Sequence, residues 1–483
     1  MSGKQVDYID TRWGWFLPLA ILVVVLFPGA QFREIAWSAF VAAVIGMGAL
    51  RLVRYRWFSF YSIVVGTHII FYPAAVLFNL MLEWPAVRPD LWEDASWAMA
   101  GCSVGLFCLA LGAYVDRKVM WRKANRQPFA GEAPPTSLYF NVAISALIPV
   151  VALFRFNLGL YYHIAVNPDY RFDMVQYLNV LEHVLWIGYC GVVLQLYRLI
   201  KTRSRLDFQV AVALVLGAIL VFLPSGGRGQ AFGFLPFVII AYMTWEGRIE
   251  RKLAMLAGGI VAIVSLSVTV DVYRNLTGLD TESTAAKYRI LFEQAEIVAG
   301  GVADPWEGTF VGRMSDFTAA GRIIADTPGL FDYRYFDGVG NWWQIAIPKF
   351  LRPEHDELNI IEGAQVTQNY GVTDGEHTST PVTIIGDLFS RFGWIGVCAG
   401  MFVIGMILAN LDAWIFERMD AVWKICFSLL FYRLIMSLVN VSVLVAFITF
   451  TRDLLIIYLL SRCLGWIATG KVVVRQAVRR EAQ

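Results

Sequence analysis

Residues 383–411 read TIIGDLFSRFGWIGVCAGMFVIGMILANL, with Asp387 and Arg391 as the only charges. A run of about 20 apolar residues can cross a bilayer as a helix, and this one exceeds that length. The composition of the whole chain agrees. Of 483 residues, 58% are apolar and 16% charged, against about 45–50% and about 25% in soluble domains. That balance excludes a water-soluble enzyme, a disordered chain and a coiled coil. A net charge of +2 gives no basic excess of the kind that binds nucleic acid. The chain reads as an all-α polytopic membrane protein.

Apolar runs predict about twelve transmembrane helices, near 14–29, 35–52, 58–82, 97–115, 137–156, 177–197, 210–224, 231–245, 253–273, 383–411, 422–450 and 454–470. Lys and Arg collect in the cytoplasmic loops of such proteins. With the N-terminus inside, the inner connections and tail hold 21 of them, including Arg117, Lys118, Arg122, Lys123 and Arg126. The short outer loops hold 6: Arg33, Arg88, Arg155, Arg171, Arg228 and Arg452. This bias predicts a multi-pass protein with both termini cytoplasmic. The six cysteines lie within or at the ends of spans, so no disulfide framework or cysteine metal site is expected.

Three regions follow: spans one to nine in 1–273, a large hydrophilic segment at 274–380, and the last three spans with a basic tail in 381–483. Parity places 274–380 outside, and connections this long are usually functional. Helices are predicted near 281–298, near 307–326 with a stop at Thr327-Pro328-Gly329, and over 340–350. The last sets Trp342 and Trp343 beside Ile345 and Ile347, then Lys349 and Arg352. Rings and cations in that order suit headgroup depth, either as a platform for a lipid-linked anion or as an ordinary interfacial anchor.

Four places carry candidate chemistry. Ser225-Gly226-Gly227-Arg228-Gly229-Gln230 is a short outer turn whose glycines permit close backbone approach and whose guanidinium fits phosphate oxygens; a plain turn with one snorkelling Arg is the alternative. Arg313 and Asp316 stand three apart and either pair on a solvated face or offer a substrate contact. Asp374, Glu376 and His377 concentrate acid–base groups just before the tenth span, and His377 has the intrinsic pKa for base work near neutrality. As metal ligands the three lack further partners, so no metal or cofactor is expected. Asp387 and Arg391, four apart, share one helical face and form either a lock at the helix mouth or part of a reaction centre. His68, Glu182, His183 and Arg433 read as buried-network residues.

Arg228, Arg274, Arg313, Lys349, Arg352 and Arg391 fall on one outer face by this topology. Phosphate is the natural partner of clustered guanidiniums. If a sugar leaves a lipid pyrophosphate, fixed cations stabilise the charge that develops, and Asp387, Glu376 or His377 is placed to take the acceptor's proton. No inner loop is long enough for a nucleotide-binding domain, the longest being about 116–136. The residues therefore suggest glycosyl transfer from a lipid carrier.

The Ser-Gly-Gly-Arg turn, the late loop with Ile-Pro-Lys-Phe-Leu-Arg-Pro at 347–353, and Gly-Asp-Leu-Phe-Ser-Arg-Phe-Gly-Trp-Ile-Gly at 386–396 resemble the Wzy-type O-antigen and exopolysaccharide repeat-unit polymerases. Asp387, Leu388, Phe389, Phe392, Gly393 and Gly396 carry the match. The resemblance implies a bacterial inner-membrane enzyme with a large periplasmic loop and a glycosyltransferase C-like arrangement. It would join undecaprenyl-pyrophosphate-linked oligosaccharides among membrane lipids, alongside a chain-length regulator and a flippase. Catalytic roles would fall to Asp387, His377, Glu376 and Arg391, and substrate binding to Arg228, Arg274, Arg313, Lys349 and Arg352. The related ligases carry a His shortly before an acidic residue; His377 and Asp387 are spaced more widely. A ligase and a lipid-linked oligosaccharide flippase are the competing readings.

Overall fold

The computed structural model describes residues 33–52, 59–81, 94–120, 136–157, 168–222, 317–337, 339–341, 369–370, 382–418, 442–456 and 458–459. Among them every regular element is helical. Four helices are long and apolar enough to cross a membrane: Arg33–Leu52, Phe60–Leu77, Ala95–Asp116 and Ile384–Trp414. The predicted spans 14–29, 231–245 and 253–273 and the helix at 281–298 lie outside the described residues.

Helix α1 (Arg33–Leu52) buries Ala36, Ala39, Ala43 and Gly46, a stripe of small residues at helical spacing, and packs on α4 (Ala95–Met120). Between them in sequence, α2 (Phe60–Ile69) passes through a widened turn, Ile70–Ala74, into α3 (Ala75–Met81). Pro73 sits inside that turn; its missing N–H and bulky ring are incompatible with regular α hydrogen bonding. The predicted span at 137–156 divides into α5 (Leu138–Ser145) and α6 (Leu147–Asn157), because Pro149 would drive its ring into the Ser145 carbonyl of a continuous helix. Helices α7 (Pro168–Thr202) and α8 (Arg205–Phe222) extend beyond the predicted 177–197 and start before the predicted 210.

Helix α9 (Phe317–Asp326) ends where Thr327-Pro328-Gly329 predicts. Its buried face, Phe317, Ala320, Ile323 and Ile324, packs on α4 and α10. Helix α10 (Ile384–Arg418) breaks at Phe392 and Gly393, the latter with φ of 61°. The predicted single span is therefore two arms, 384–391 and 394–418. A Cβ on Gly396 would overlap the Leu388 carbonyl oxygen, and one on Gly400 the Leu388 side chain. In a straight helix residues eight apart are about 12 Å apart, so the first arm folds back along the second.

The last described helix covers 443–456 and corrects the predicted turn at 451–453. Thr451 bonds to the Phe447 carbonyl and Arg452 pairs with Asp453 Oδ1 at 3.3 Å, so the hydroxyl and the two charges find partners within the helix. Ser442 precedes this helix, and its carbonyl and side chain both accept amides of the first helical turn; residues 422–441 of the predicted span 422–450 lie outside the described residues.

Two polar tiers bracket the apolar bundle. At one, Asp94 precedes α4 and meets Arg322 at 3.1 Å, which also pairs with Asp326 at 2.9 Å. At the other, Asn410 donates to Asp116 at 2.7 Å, and Asp412 accepts the Phe60 and Tyr61 amides at 2.6 and 3.1 Å. A carboxylate at a helix N-terminus contributes up to about 2 kcal/mol when partly buried. Residues 394–414 extend about 31 Å at 1.5 Å per residue, close to the about 30 Å of a hydrocarbon core.

Between the tiers, α4 and the second arm of α10 touch backbone to backbone. A Cβ on Gly405 would overlap the Leu109 carbonyl oxygen, and one on Gly112 the Phe402 carbonyl oxygen. Gly405→Ala must force the helices apart, and a loss of about 1–3 kcal/mol is expected. Gly48→Ala, with no atom within 4 Å of the added carbon, is expected to leave the melting temperature of the purified protein unchanged or slightly raised.

At the α7–α8 corner Asp207 accepts hydrogen bonds from Arg198 at 2.8 Å, from Gln195 and from Thr202. Asn141 donates to Gln195 at 3.0 Å and accepts from Thr136 at 2.6 Å. Burial alone would raise the Asp207 pKa, but these donors outweigh it and hold the carboxyl below its ordinary value. A depressed folded pKa gives stability that is present above the unfolded value and lost as pH falls through the folded one. Acid unfolding is therefore expected to start at lower urea concentration below the ordinary carboxylate range, and Asp207→Asn should flatten that dependence.

Candidate functional site

The fold-back of α10 gathers the site. Thr383 caps the first arm: its hydroxyl oxygen accepts the Gly386 amide at 3.2 Å and the Tyr72 hydroxyl at 3.0 Å. Four residues on, the Asp387 side chain is fully buried. Its Oδ1 accepts Arg391 Nε at 3.1 Å and Arg334 Nη1 at 3.5 Å, and its Oδ2 accepts the Val443 amide at 2.8 Å. The predicted i,i+4 pair thus forms, and the carboxylate also binds a second guanidinium and the first amide of helix 443–456.

Arg334 belongs to a strap, 327–337, that follows α9. Its amide donates to the Ser390 carbonyl at 2.8 Å, and the Tyr335 amide donates to the Arg391 carbonyl at 3.2 Å. Those carbonyls belong to the last turn of the first arm, which would otherwise lack partners at the break. In return Arg391 Nη1 donates to the Tyr335 and Asp337 carbonyls at 3.3 and 2.6 Å. Tyr333 presses on Gly393, where its hydroxyl would stand 2.8 Å from any Cβ. Positive φ and this contact together require glycine there.

Within the triad two guanidiniums meet one carboxylate. Both Asp387 oxygens accept hydrogen bonds, so as folded the group is arranged to orient cations. Arg391 is buried and Arg334 half-buried. Of the other residues proposed from sequence, His377, Glu376, Arg228, Arg274, Arg313, Lys349 and Arg352 lie outside the described residues. His68 is buried, with Nδ1 at 2.8 Å from the Val64 carbonyl and its ring stacked on Tyr72. Sequence reasoning missed Arg334; the signal is an Arg between tyrosines in Tyr333-Arg334-Tyr335, directly after the helix stop. Among the described residues no three His, Cys, Asp or Glu side chains converge as a metal site.

What this arrangement defines is a helical bundle carrying a buried carboxylate–diguanidinium clasp beside a broken span. No family model matches the chain, and no curated protein and no solved structure matches it either.

The clasp is expected to behave as a unit. Breaking a buried ion pair from one side costs about 3–5 kcal/mol because it strands the other charge. Asp387→Asn and Arg391→Met should each destabilise strongly, while the double variant should lose less than their sum. Denaturant unfolding of the four proteins gives the coupling.

Proposed function

We propose that the chain polymerises lipid-linked oligosaccharides at the outer face of a bacterial inner membrane, as a Wzy-type enzyme does. In this reading it has about twelve spans, both termini are cytoplasmic and 274–380 is a periplasmic loop. The reading is supported by helix directions. Helix α4 and the long arm of α10 run parallel, shown by Gly405 against Leu109 and Asn410 against Asp116; helix 443–456 runs the same way, from Asp387 toward Tyr458 against Trp414. Helix α2 starts at the Asp412 tier and runs opposite. Those directions are what the third, fourth and tenth spans require; helix 443–456 has the direction required of the twelfth span and opposite to that of the predicted 422–450, so in this reading the twelfth span begins at 443.

The observation that carries the reaction is the clasp, a tethered pair of guanidiniums at the end of a span beside the strap 327–337. In the proposed step, the bond from the donor sugar's anomeric carbon to pyrophosphate breaks and a bond to the acceptor hydroxyl forms. The undecaprenyl pyrophosphate leaves with the bonding electrons, and its charge is met by Arg391 and Arg334, with Arg228, Arg274, Arg313, Lys349 and Arg352 as further cations. Asp387 orients the two arginines. The acceptor proton goes to Glu376 or His377. A chain-length regulator and a flippase are the proposed partners.

Purified protein in vesicles, given a synthetic undecaprenyl-pyrophosphate repeat unit, is expected to produce a ladder of longer glycans. Arg334→Ala should lower elongation about 100-fold, the scale of one lost transition-state donor, with an unchanged gel-filtration profile. Transfer of a single glycan to another acceptor would mark a ligase, and movement of the unit across the vesicle with no new bond would mark a flippase. No product at all from a competent substrate would sink the polymerase reading.

A further inference from the structure

The strap that closes over the broken helix has a second face. Leu330, Tyr335 and Phe336 are 72%, 55% and 71% exposed, although large apolar side chains in a hydrophilic connection are ordinarily turned inward. They are not scattered. Phe336 and Tyr335 stand edge-on to Phe392 at 5.1 and 6.0 Å, and Tyr333 stands edge-on to Tyr335 at 5.9 Å. Phe392 is the residue at the break, so this cluster sits where the long arm of α10 begins.

Directly beyond the break the exposed residues of that arm are Trp394 and Ile395, then Ala399, Val403 and Ile407, with Asn410 exposed at the opposite tier. From 395 the spacing is four, one stripe along a helix. From 395 to 407 the stripe is apolar and turned away from the bundle on a helix long and apolar enough to cross a membrane, so acyl chains are its natural solvent. Ile395, 79% exposed, is the top of that stripe and lies just past the ring cluster. The exposed rings of the strap therefore continue a lipid-facing surface upward by one layer, at the depth where tyrosine and other amphipathic rings are favoured.

We propose that Leu330, Tyr335 and Phe336 are immersed in the headgroup–acyl boundary of the bilayer, making the strap a membrane-bound element. Its backbone amides cap the first arm of α10 and its Arg334 grips Asp387, so lipid contact fixes the depth of the clasp. The inference rests on the reading of 394–414 as a span and is independent of the reaction.

The test places an environment-sensitive fluorescent amino acid at position 336 of the full chain, in phosphatidylcholine–phosphatidylglycerol vesicles. Nitroxide lipids labelled at acyl carbon 5 or carbon 12 report depth, and iodide reports water. At position 336 the carbon-5 lipid should quench at least twofold more than the carbon-12 lipid, and iodide should quench less than half as well as it quenches the free amino acid. A probe at Val403, nine residues into the arm, should show the reverse order of the two lipids. Iodide quenching equal to that of the free fluorophore at 336 overturns the proposal. Protection from all three quenchers, the mark of a protein partner over the patch, overturns it too. Absence of lipid quenching at both 336 and 403 removes the span itself.

Discussion

A helix cannot stop inside an apolar bundle without leaving carbonyls and amides to be answered, and the fold around Asp387 is the answer to that demand. The break at Phe392 and Gly393 strands the last carbonyls of the short arm, and the amides of Arg334 and Tyr335 satisfy them. Helix 443–456 brings an N-terminal amide, and Asp387 satisfies it. Arg391 then ties the carboxylate to the strap's own carbonyls. Segments separated by more than a hundred residues share one small network. Hydrogen bonds in such surroundings are strong when complete and costly when one is missing, so none of the three segments is free to move alone.

The second organising constraint is closeness. Alanine and glycine stripes on α1, α4 and α10 allow helix backbones to touch, which is how apolar helices associate where no water is present to drive them together. Closeness also explains why the polar groups lie in two tiers. The middle of the bundle has no room for long charged side chains, and Asp116, Asn410 and Asp412 at one end mirror Asp94, Arg322 and Asp387 at the other.

Much of this was legible in the sequence. Apolar runs located α1, α2–α3, α4 and α10, Thr327-Pro328-Gly329 located the end of α9, and i,i+4 spacing foretold the Asp387–Arg391 pair. The break at Gly393 was not legible, because hydropathy continues across it and glycine is common in membrane helices for packing reasons alone. Arg452 and Asp453 resembled loop residues because a sequence window does not register that adjacent charges neutralise each other within a helix. Ser442 carried the N-cap signature in the middle of an apolar run, where the run dominated the reading. Arg334 gave no periodic signal: its partner lies 53 residues away, and the tyrosines on either side of it were the one local hint. Of the residues expected to act on the substrate, Asp387 and Arg391 fall among the described residues, and the others, Glu376, His377 and five of the cations, lie outside them.

The carbonyl-to-glycine seams between α4 and the long arm of α10 have a mechanical consequence. Side chains between two helices act as a lubricant, since rotamers can change to absorb a slide or a tilt. At Gly112 and Gly405 no such layer exists, and one peptide plane rests on another. The two rods are keyed together and form the stationary frame of the protein, so any rearrangement that accompanies its work must be carried by the elements hung upon them.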